Sequence, residues 1–258
     1  MRIIEYLEND SAKIGVLSED CLFITPLQIP DEKTSPETTG ETARVKTADV
    51  KLLTPKMPGK IVCVGRNYAD HAAELGNSLP EAPLLFLKAP TSLIFDGDVI
   101  EIPPQSEQVE HEGELGLIIG KTCKNLKDDE PADEYILGYI CLNDVTARDL
   151  QRRDVQFTRA KSFDTFCPVS RFIKTGVDTS DLRITTRVNG VIKQIGKTSQ
   201  MVFPVEHLLR YISNQMTLRF GDIVATGTPA GVSTLKDGDI CEVEIEGIGR
   251  ISNPVRKV

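Results

Sequence analysis

The sequence predicts a mainly β fold of the α+β class, and three observations carry that prediction. Apolar alternations with the two-residue period of a strand recur along the chain, and Gly-Asp turns introduce three of them. Helical period is confined to a few brief stretches, and no regular strand-helix alternation appears, which argues against a doubly wound parallel sheet.

In chain order, "RIIEYLE", "AKIGVLS" and "CLFITPL" read as short strands separated by the polar turns "NDS" and "ED". The following "QIPDEKTSPETTGETARVKTADV" is rich in Thr, Pro and charge and reads as a mobile loop or linker. Residues 1–56 therefore form an N-terminal β segment with its linker, and residues 57–258 form the main body. That body begins with "KIVCVGRNY", a buried strand running into a polar turn. "FDGDVIEIP", "RFGDIVATGTP" and "KDGDICEVEIEG" each place Gly-Asp before an apolar alternation, a shared turn solution at irregular spacing. "FPVEHLLRYISNQ" puts Val205, Leu208, Leu209 and Ile212 on one helical face, with Pro204 suited to the first turn. "VTARDLQRRD" is a second, short helix candidate.

The chain has 258 residues, 40% of them hydrophobic, enough for a substantial core. A net charge of −8 argues against a nucleic-acid binder, and no apolar run approaches a membrane span. "MRIIEYLEND" gains acids within five residues and does not read as a secretory signal, so the expectation is a soluble cytoplasmic protein. Six scattered cysteines (Cys21, Cys63, Cys123, Cys141, Cys167, Cys241) include no C-x-x-C pair and read as buried, reduced thiols.

The stretch "VEHEGELGLIIG" raises the question of chemistry. As one strand it would aim Glu110, Glu112 and Glu114 the same way, with Leu115, Leu117 and Ile119 on the opposite face. Two like charges about 4 Å apart repel by roughly 1 kcal/mol in water and about 4 kcal/mol at a protein surface. Either the acidic face is solvated or a hard divalent cation sits there. "YILGYICLNDVTARDLQ" adds a strand ending at Asn143-Asp144, where Asp144 could also cap the next helix. Arg148 and Gln151 share a face of that helix, and Lys161 follows in "AKSFDTFCPV". Such a grouping suits an anionic, oxygen-rich substrate on a metal. In "GRNYADHAAELGN", a helix over Tyr68 to Leu75, with Asn67 as N-cap and Gly76 at C′, aligns His71 with Glu74. The flanking Gly65 and Gly76 would let this segment move as a lid. His111 and His207 lack such neighbours and read as structural.

Six ordered motifs, "GRNYADHAAEL", "LFLKAPTSLI", "HEGELGLIIG", "YICLNDVTARDLQ", "AKSFDTFCPVS" and "VATGTPAGV", resemble the fumarylacetoacetate hydrolase family over residues 57–258. The likeness is to bacterial and archaeal members of acylpyruvase or 2-hydroxyhepta-2,4-diene-1,7-dioate isomerase type, and residues 1–56 loosely resemble their small N-terminal β domain. It implies a mixed β-sandwich roll, a homodimer, and a bound Mg²⁺, Mn²⁺ or Ca²⁺ held at Glu112, Glu114 and Asp144. It further implies substrate contacts at Arg148, Gln151, Lys161 and Thr228, and a catalytic pair His71–Glu74 assisted by Lys161. Glu110 lies outside the pattern and reads as solvated or as a neighbour of the ligands. Lys88 matches a lysine usually followed by proline, but "KAP" inserts an alanine.

The resemblance implies metal-dependent hydrolysis of a C–C bond in a small 2,4-dioxo acid. The same site could serve a decarboxylase, or an isomerase or tautomerase of a 2-oxo acid. Two rivals stand outside the family. A carboxylate-pair glycosidase would need acids facing each other and aromatic stacking, yet the chain has no Trp. A metal-binding structural module would have no use for the His71–Glu74 pair.

Overall fold

Strand Gly113–Ile119 is the spine of the computed structural model, which describes residues 1–8, 11–28, 37–38, 44–52 and 58–258. It pairs antiparallel with Ile136–Asn143 on one side and Ile223–Ala225 on the other. Beyond Ile223–Ala225 lie Ile61–Gly65, parallel to it, and then Leu84–Lys88, antiparallel. In the other direction the sheet continues through Ile173–Lys174 to Arg2–Glu8, Ser11–Leu17 and Phe23–Gln28. The three N-terminal strands read from the sequence are thus present, and they extend the sheet of the body.

A second sheet runs Ile100–Ile102, Gly249–Lys257, Ile240–Ile245, Arg183–Val188, Val191–Lys197. The two sheets share one core, in which Leu115, Leu117 and Val224 meet Ile184, Val243 and Ile251. On the other face of the spine, Ile118 packs with Ile140, Ile223, Phe95 and Val169. The spine is buried on both faces, which explains why "LGLII" is apolar at nearly every position rather than at alternate ones. Each such Leu or Ile contributes roughly 1.5–3 kcal/mol on burial. The result is the mixed β-sandwich the sequence predicted.

All three Gly-Asp turns form, and they share one geometry. Gly97, Gly221 and Gly238 have φ of 87°, 84° and 82°, open to glycine at no steric cost. In each, the following aspartate accepts the N–H three residues back: Asp98 from Phe95 at 2.8 Å, Asp222 from Arg219 at 2.8 Å, Asp239 from Lys236 at 2.7 Å. Four helices complete the body: α1 (Ala69–Glu74), α2 (Arg148–Arg153), α3 (Thr158–Lys161) and α4 (Val205–Gln215). α4 buries Leu208, Leu209 and Ile212 as its period requires, with Val205 at the margin and Pro204 one residue earlier than expected, at the N-cap.

Four expectations need correction. "VEHEGELGLIIG" is two strands, because Val109–Glu110 pairs with Thr146–Ala147 and the chain turns at His111-Glu112 before the spine begins. Thr146–Ala147 is a short strand, so α2 starts at Arg148. Of the proposed loop, residues 29–36 and 39–43 lie outside the described residues, as does the expected boundary at 56/57. The rest is ordered: Glu37–Thr38 and Val45–Lys46 pair with Phe23–Gln28. Cys21 is exposed with φ of 60°, since it turns the chain between two strands rather than lying in one.

The other five thiols are buried and reduced. Burial raises the Cys63 and Cys123 thiols and pushes Cys141, Cys167 and Cys241 up to about 12. Labelling the native protein with a small maleimide should therefore modify Cys21 alone, and denaturation should release all six. Mass spectrometry of the labelled chain reads the result; rapid native labelling of the buried five would contradict this packing.

Candidate active site

Where the spine begins, two chain segments are laced together. The Glu112 N–H donates to Asn143 Oδ1 at 2.9 Å, and the Asp144 N–H donates to the Glu112 carbonyl at 2.8 Å. Between the two glutamates, only glycine fits: a Cβ on Gly113 would lie 2.2 Å from Thr186 Oγ1. The lacing gathers Glu112, Glu114 and Asp144 so that one oxygen from each lies within 4.8 Å of the others. All three are at most 4% exposed, which excludes a solvated acidic face.

Three buried cations answer these acids. Lys161 Nζ bridges Glu112 Oε2 and Asp144 Oδ2, 2.7 Å from each, over the Phe86 ring. Lys88 Nζ donates to Asp144 Oδ1 at 2.6 Å and to the Val145 carbonyl at 3.1 Å. The inserted alanine of "KAP" does not displace this lysine; its own N–H donates to Ser162 Oγ at 3.0 Å, ahead of a short 3₁₀ turn at Pro90–Ser92. Arg148 donates through Nε to Glu110 at 2.7 Å, through Nη2 to Glu112, and through Nη1 to Gln151 at 2.5 Å. Glu110 is therefore a buried partner of Arg148 and not a solvated group. Asp144 does not cap α2, because its carboxylate is taken by the two lysines.

The compensation is incomplete. Glu110, Glu112, Glu114 and Asp144 face Lys88, Lys161 and Arg148, leaving one negative charge in excess. The excess falls on Glu114, whose hydrogen bond is from the Gly227 N–H at 2.7 Å and which makes no ion pair among the described residues. Burial, then Asp144 and Glu112, raise its carboxyl well above the ordinary range. Burial pushes Glu112 the same way, but Lys161 and Arg148 outweigh it and hold that carboxyl below the usual range. Three hard oxygen donors with one uncompensated charge fit a divalent cation.

α1 brings the second group. Its C-terminus closes on Gly76 (φ 70°), with the Gly76 and Asn77 N–H groups donating to Ala73 and Ala72 carbonyls. Asn67 is not its N-cap. It is fully buried, donating to the Phe203 and Thr226 carbonyls at 3.0 and 2.7 Å and accepting from the Phe203 N–H at 2.8 Å. This clamp fixes the start of α1 against the loop carrying Gly227. His71 Nδ1 lies 3.2 Å from Glu74 Oε2, and Glu74 also accepts the Gly231 N–H at 3.0 Å. With an acceptor carboxylate on Nδ1, Nε2 is the ring nitrogen without a hydrogen-bond partner among the described residues.

A cavity of about 390 Å³ opens over these groups and is lined by Glu74, Glu112, Glu114, Asp144, Arg148, Gln151, Lys161 and Thr228. His71 is buried, and its partner Glu74 lines the cavity. Thr228 Oγ1 donates to the Gly113 carbonyl at 2.9 Å, so its proton serves the spine. Gln194, unremarked in the sequence, accepts from the Gly113 N–H and faces His111 at 3.0 Å, and donates to Thr228 Oγ1 at 2.8 Å. Burial lowers His111, which also touches Ser233 and is structural; His207 is exposed and stacks on Phe203.

The raised Glu114 carboxyl means the folded chain holds a proton the unfolded chain has released. Metal-free stability should therefore fall as pH rises above about 4.3 toward the raised value. A cation displaces that proton, so stabilisation by added Mg²⁺ should grow with pH over the same window. Glu114→Gln should raise the metal-free melting temperature at neutral pH, by about 2–4 °C per kcal/mol relieved. It should also abolish the Mg²⁺ increment. Thermal melts with and without Mg²⁺ test both statements; a variant still stabilised by Mg²⁺ would remove Glu114 from the ligand set.

The family model described as fumarylacetoacetate (FAA) hydrolase C-terminal matches residues 60–256. The mitochondrial oxaloacetate decarboxylase of Dictyostelium discoideum is 44% identical over 73% of this chain and 89% of its own. The oxaloacetate tautomerase YisK of Bacillus subtilis is 39% identical over 81% of this chain and 74% of its own. A 2-hydroxyhepta-2,4-diene-1,7-dioate isomerase structure from Mycobacterium marinum superposes with a TM-score of 0.85 at 38% identity, covering 100% of this chain and 98% of that one. A fumarylpyruvate hydrolase structure from Pseudomonas aeruginosa, in complex with Mn²⁺ and pyruvate, gives 0.73 at 29% identity, covering 80% and 96%. With the motifs, the fold and the acid cluster in agreement, the chain belongs to the fumarylacetoacetate hydrolase family.

Proposed function

We propose that this protein is a divalent-metal-dependent enzyme of small 2-oxo acids, with keto–enol exchange or decarboxylation of oxaloacetate-type substrates as its leading reaction. The observation that carries the reading is the pairing of a buried three-carboxylate cluster with a His71–Glu74 dyad beside one cavity. Hydrolysis held first place on the sequence motifs. Three sequence relatives at 39–44% identity bear oxaloacetate names, and this puts oxaloacetate chemistry first; a fumarylacetoacetate hydrolase structure from Exiguobacterium antarcticum at 38% identity keeps hydrolysis as the next reading.

Mg²⁺, Mn²⁺ or Ca²⁺ held by Glu112, Glu114 and Asp144 would supply Lewis acidity toward the substrate's carboxylate and keto oxygens. Lys161 and Arg148 offset the substrate's charge and keep Glu112 ionised. Gln151, already bonded to Arg148, and Thr228 border the carboxylate's place. In tautomerisation His71 Nε2 removes a proton from C3; the C–H electron pair forms the C2=C3 double bond, and the keto oxygen ends protonated. Glu74 holds the imidazolium between the two transfers. In decarboxylation the C3–C4 bond breaks instead: C4 leaves as CO₂, the bond's electron pair forms the C2=C3 double bond of the enolate, and Lys161 would return a proton to C3.

The dyad also supports a second reading, C–C hydrolysis of acylpyruvates. There His71 takes a proton from water attacking the C4 carbonyl, and the C3–C4 bond breaks with its electrons passing to C3. A homodimer is part of the proposal, and sedimentation measures it.

Incubation with oxaloacetate and acylpyruvates, following loss of enol absorbance and formation of pyruvate, ranks these reactions. Activity should vanish with EDTA and return with Mg²⁺ or Mn²⁺. His71→Ala should lower kcat by about 10²–10⁴ with a smaller change in KM. Turnover indifferent to EDTA or to His71→Ala would sink the assignment, and metal binding with no turnover would favour a structural module.

A further inference from the structure

We propose that Arg66 selects substrates carrying a second carboxylate, binding the one remote from the acid cluster. The proposal deepens the functional reading above and rests on it. Arg66 follows strand Ile61–Gly65, precedes the Asn67 clamp, and lines the same cavity as Glu112, Glu114 and Asp144. Its φ is 57°, a left-handed backbone that costs a non-glycine residue on the order of 1 kcal/mol. Asn67, bonded to the Phe203 and Thr226 carbonyls, anchors the backbone next to Arg66 at the cavity wall.

The charges decide what it is for. Lys161 is committed to Glu112 and Asp144, Arg148 to Glu110 and Glu112, and Arg152 donates to Gln108. Arg66, half-buried at the same wall, makes no ion pair or hydrogen bond among the described residues. It is the cavity-lining cation among those residues without a protein partner. A guanidinium presents a planar fork of donors that matches a carboxylate in two-point contact. Because it pairs with none of the three clustered acids, a substrate carboxylate can reach it without displacing a protein partner among the described residues. A substrate with one carboxylate at the acid cluster and another at its far end satisfies both.

The test uses the Mg²⁺-loaded protein and two variants. Arg66→Asn removes the charge with a side chain that tolerates the left-handed backbone, and Arg66→Lys keeps the charge without the fork. The substrates are oxaloacetate and 2,4-dioxopentanoate, whose far end is a neutral acetyl group. Arg66→Asn should lower the ratio of kcat/KM for oxaloacetate over 2,4-dioxopentanoate by about 10- to 100-fold, mainly through KM. Arg66→Lys should recover part of it. In calorimetry, Arg66→Asn should weaken oxaloacetate by a similar factor and change the affinity for oxalate by less than about twofold. An unchanged ratio, or oxalate weakened as much as oxaloacetate, overturns the assignment. If the wild type turns over neither acid, the functional reading fails. Arg66 is then judged on calorimetry alone, where equal effects on oxaloacetate and pyruvate overturn it.

Discussion

The structure depends on a buried meeting of like charges. Four carboxylates converge out of water, and the chain answers them with three cations, each drawn from a different element: Lys88 from the edge strand Leu84–Lys88, Arg148 from α2 and Lys161 from α3. Removing any one partner would strand an opposite charge in a low-dielectric interior, at a cost of several kcal/mol. The fold around the site is therefore tied to its electrostatics. The helices α2 and α3, too short to be stable alone, are held in place by the ion pairs they carry as well as by apolar packing.

The same arrangement is what supports the proposal of enol chemistry at this site. The cluster is one charge short of neutral, and that shortfall is located on Glu114, beside an open cavity. A divalent cation overcompensates it, leaving a positive surplus that an anionic 2-oxo acid would cancel. The His71–Glu74 pair sits on the separate element α1, with Glu74 also accepting the Gly231 N–H. The acid cluster and the dyad thus reside on different parts of the fold, and under the proposed function that separation would let one scaffold serve tautomerisation, decarboxylation or hydrolysis.

Much of this was legible in the sequence. Turn chemistry is local, so each Gly-Asp pair announced its turn, and the period of "VEHLLRYISNQ" announced α4. The clustered acids were legible only once the ordered motifs joined E-G-E to N-D; E-G-E alone left a solvated acidic face equally open. Lys88 had a family match, but the inserted alanine left its position open until the 3₁₀ turn after it was seen. Gln194 gave no signal, because its importance comes from a glycine backbone 81 residues away that it happens to reach.

The sequence by itself determined the elements, their turns and the residue types available for a cation site, since these follow from period, backbone preference and side-chain chemistry over short spans. Tertiary structure alone decided the rest. It broke the glutamate strand at His111-Glu112, moved Asp144 and Asn67 from helix caps to buried anchors, exposed Cys21, and left Arg66 without a partner among the described residues. The physical reason is common to all of these. Whether a polar group caps, pairs or stays free depends on which distant donor or acceptor the packed sheets bring within about 3 Å, and that distance is not written in local sequence.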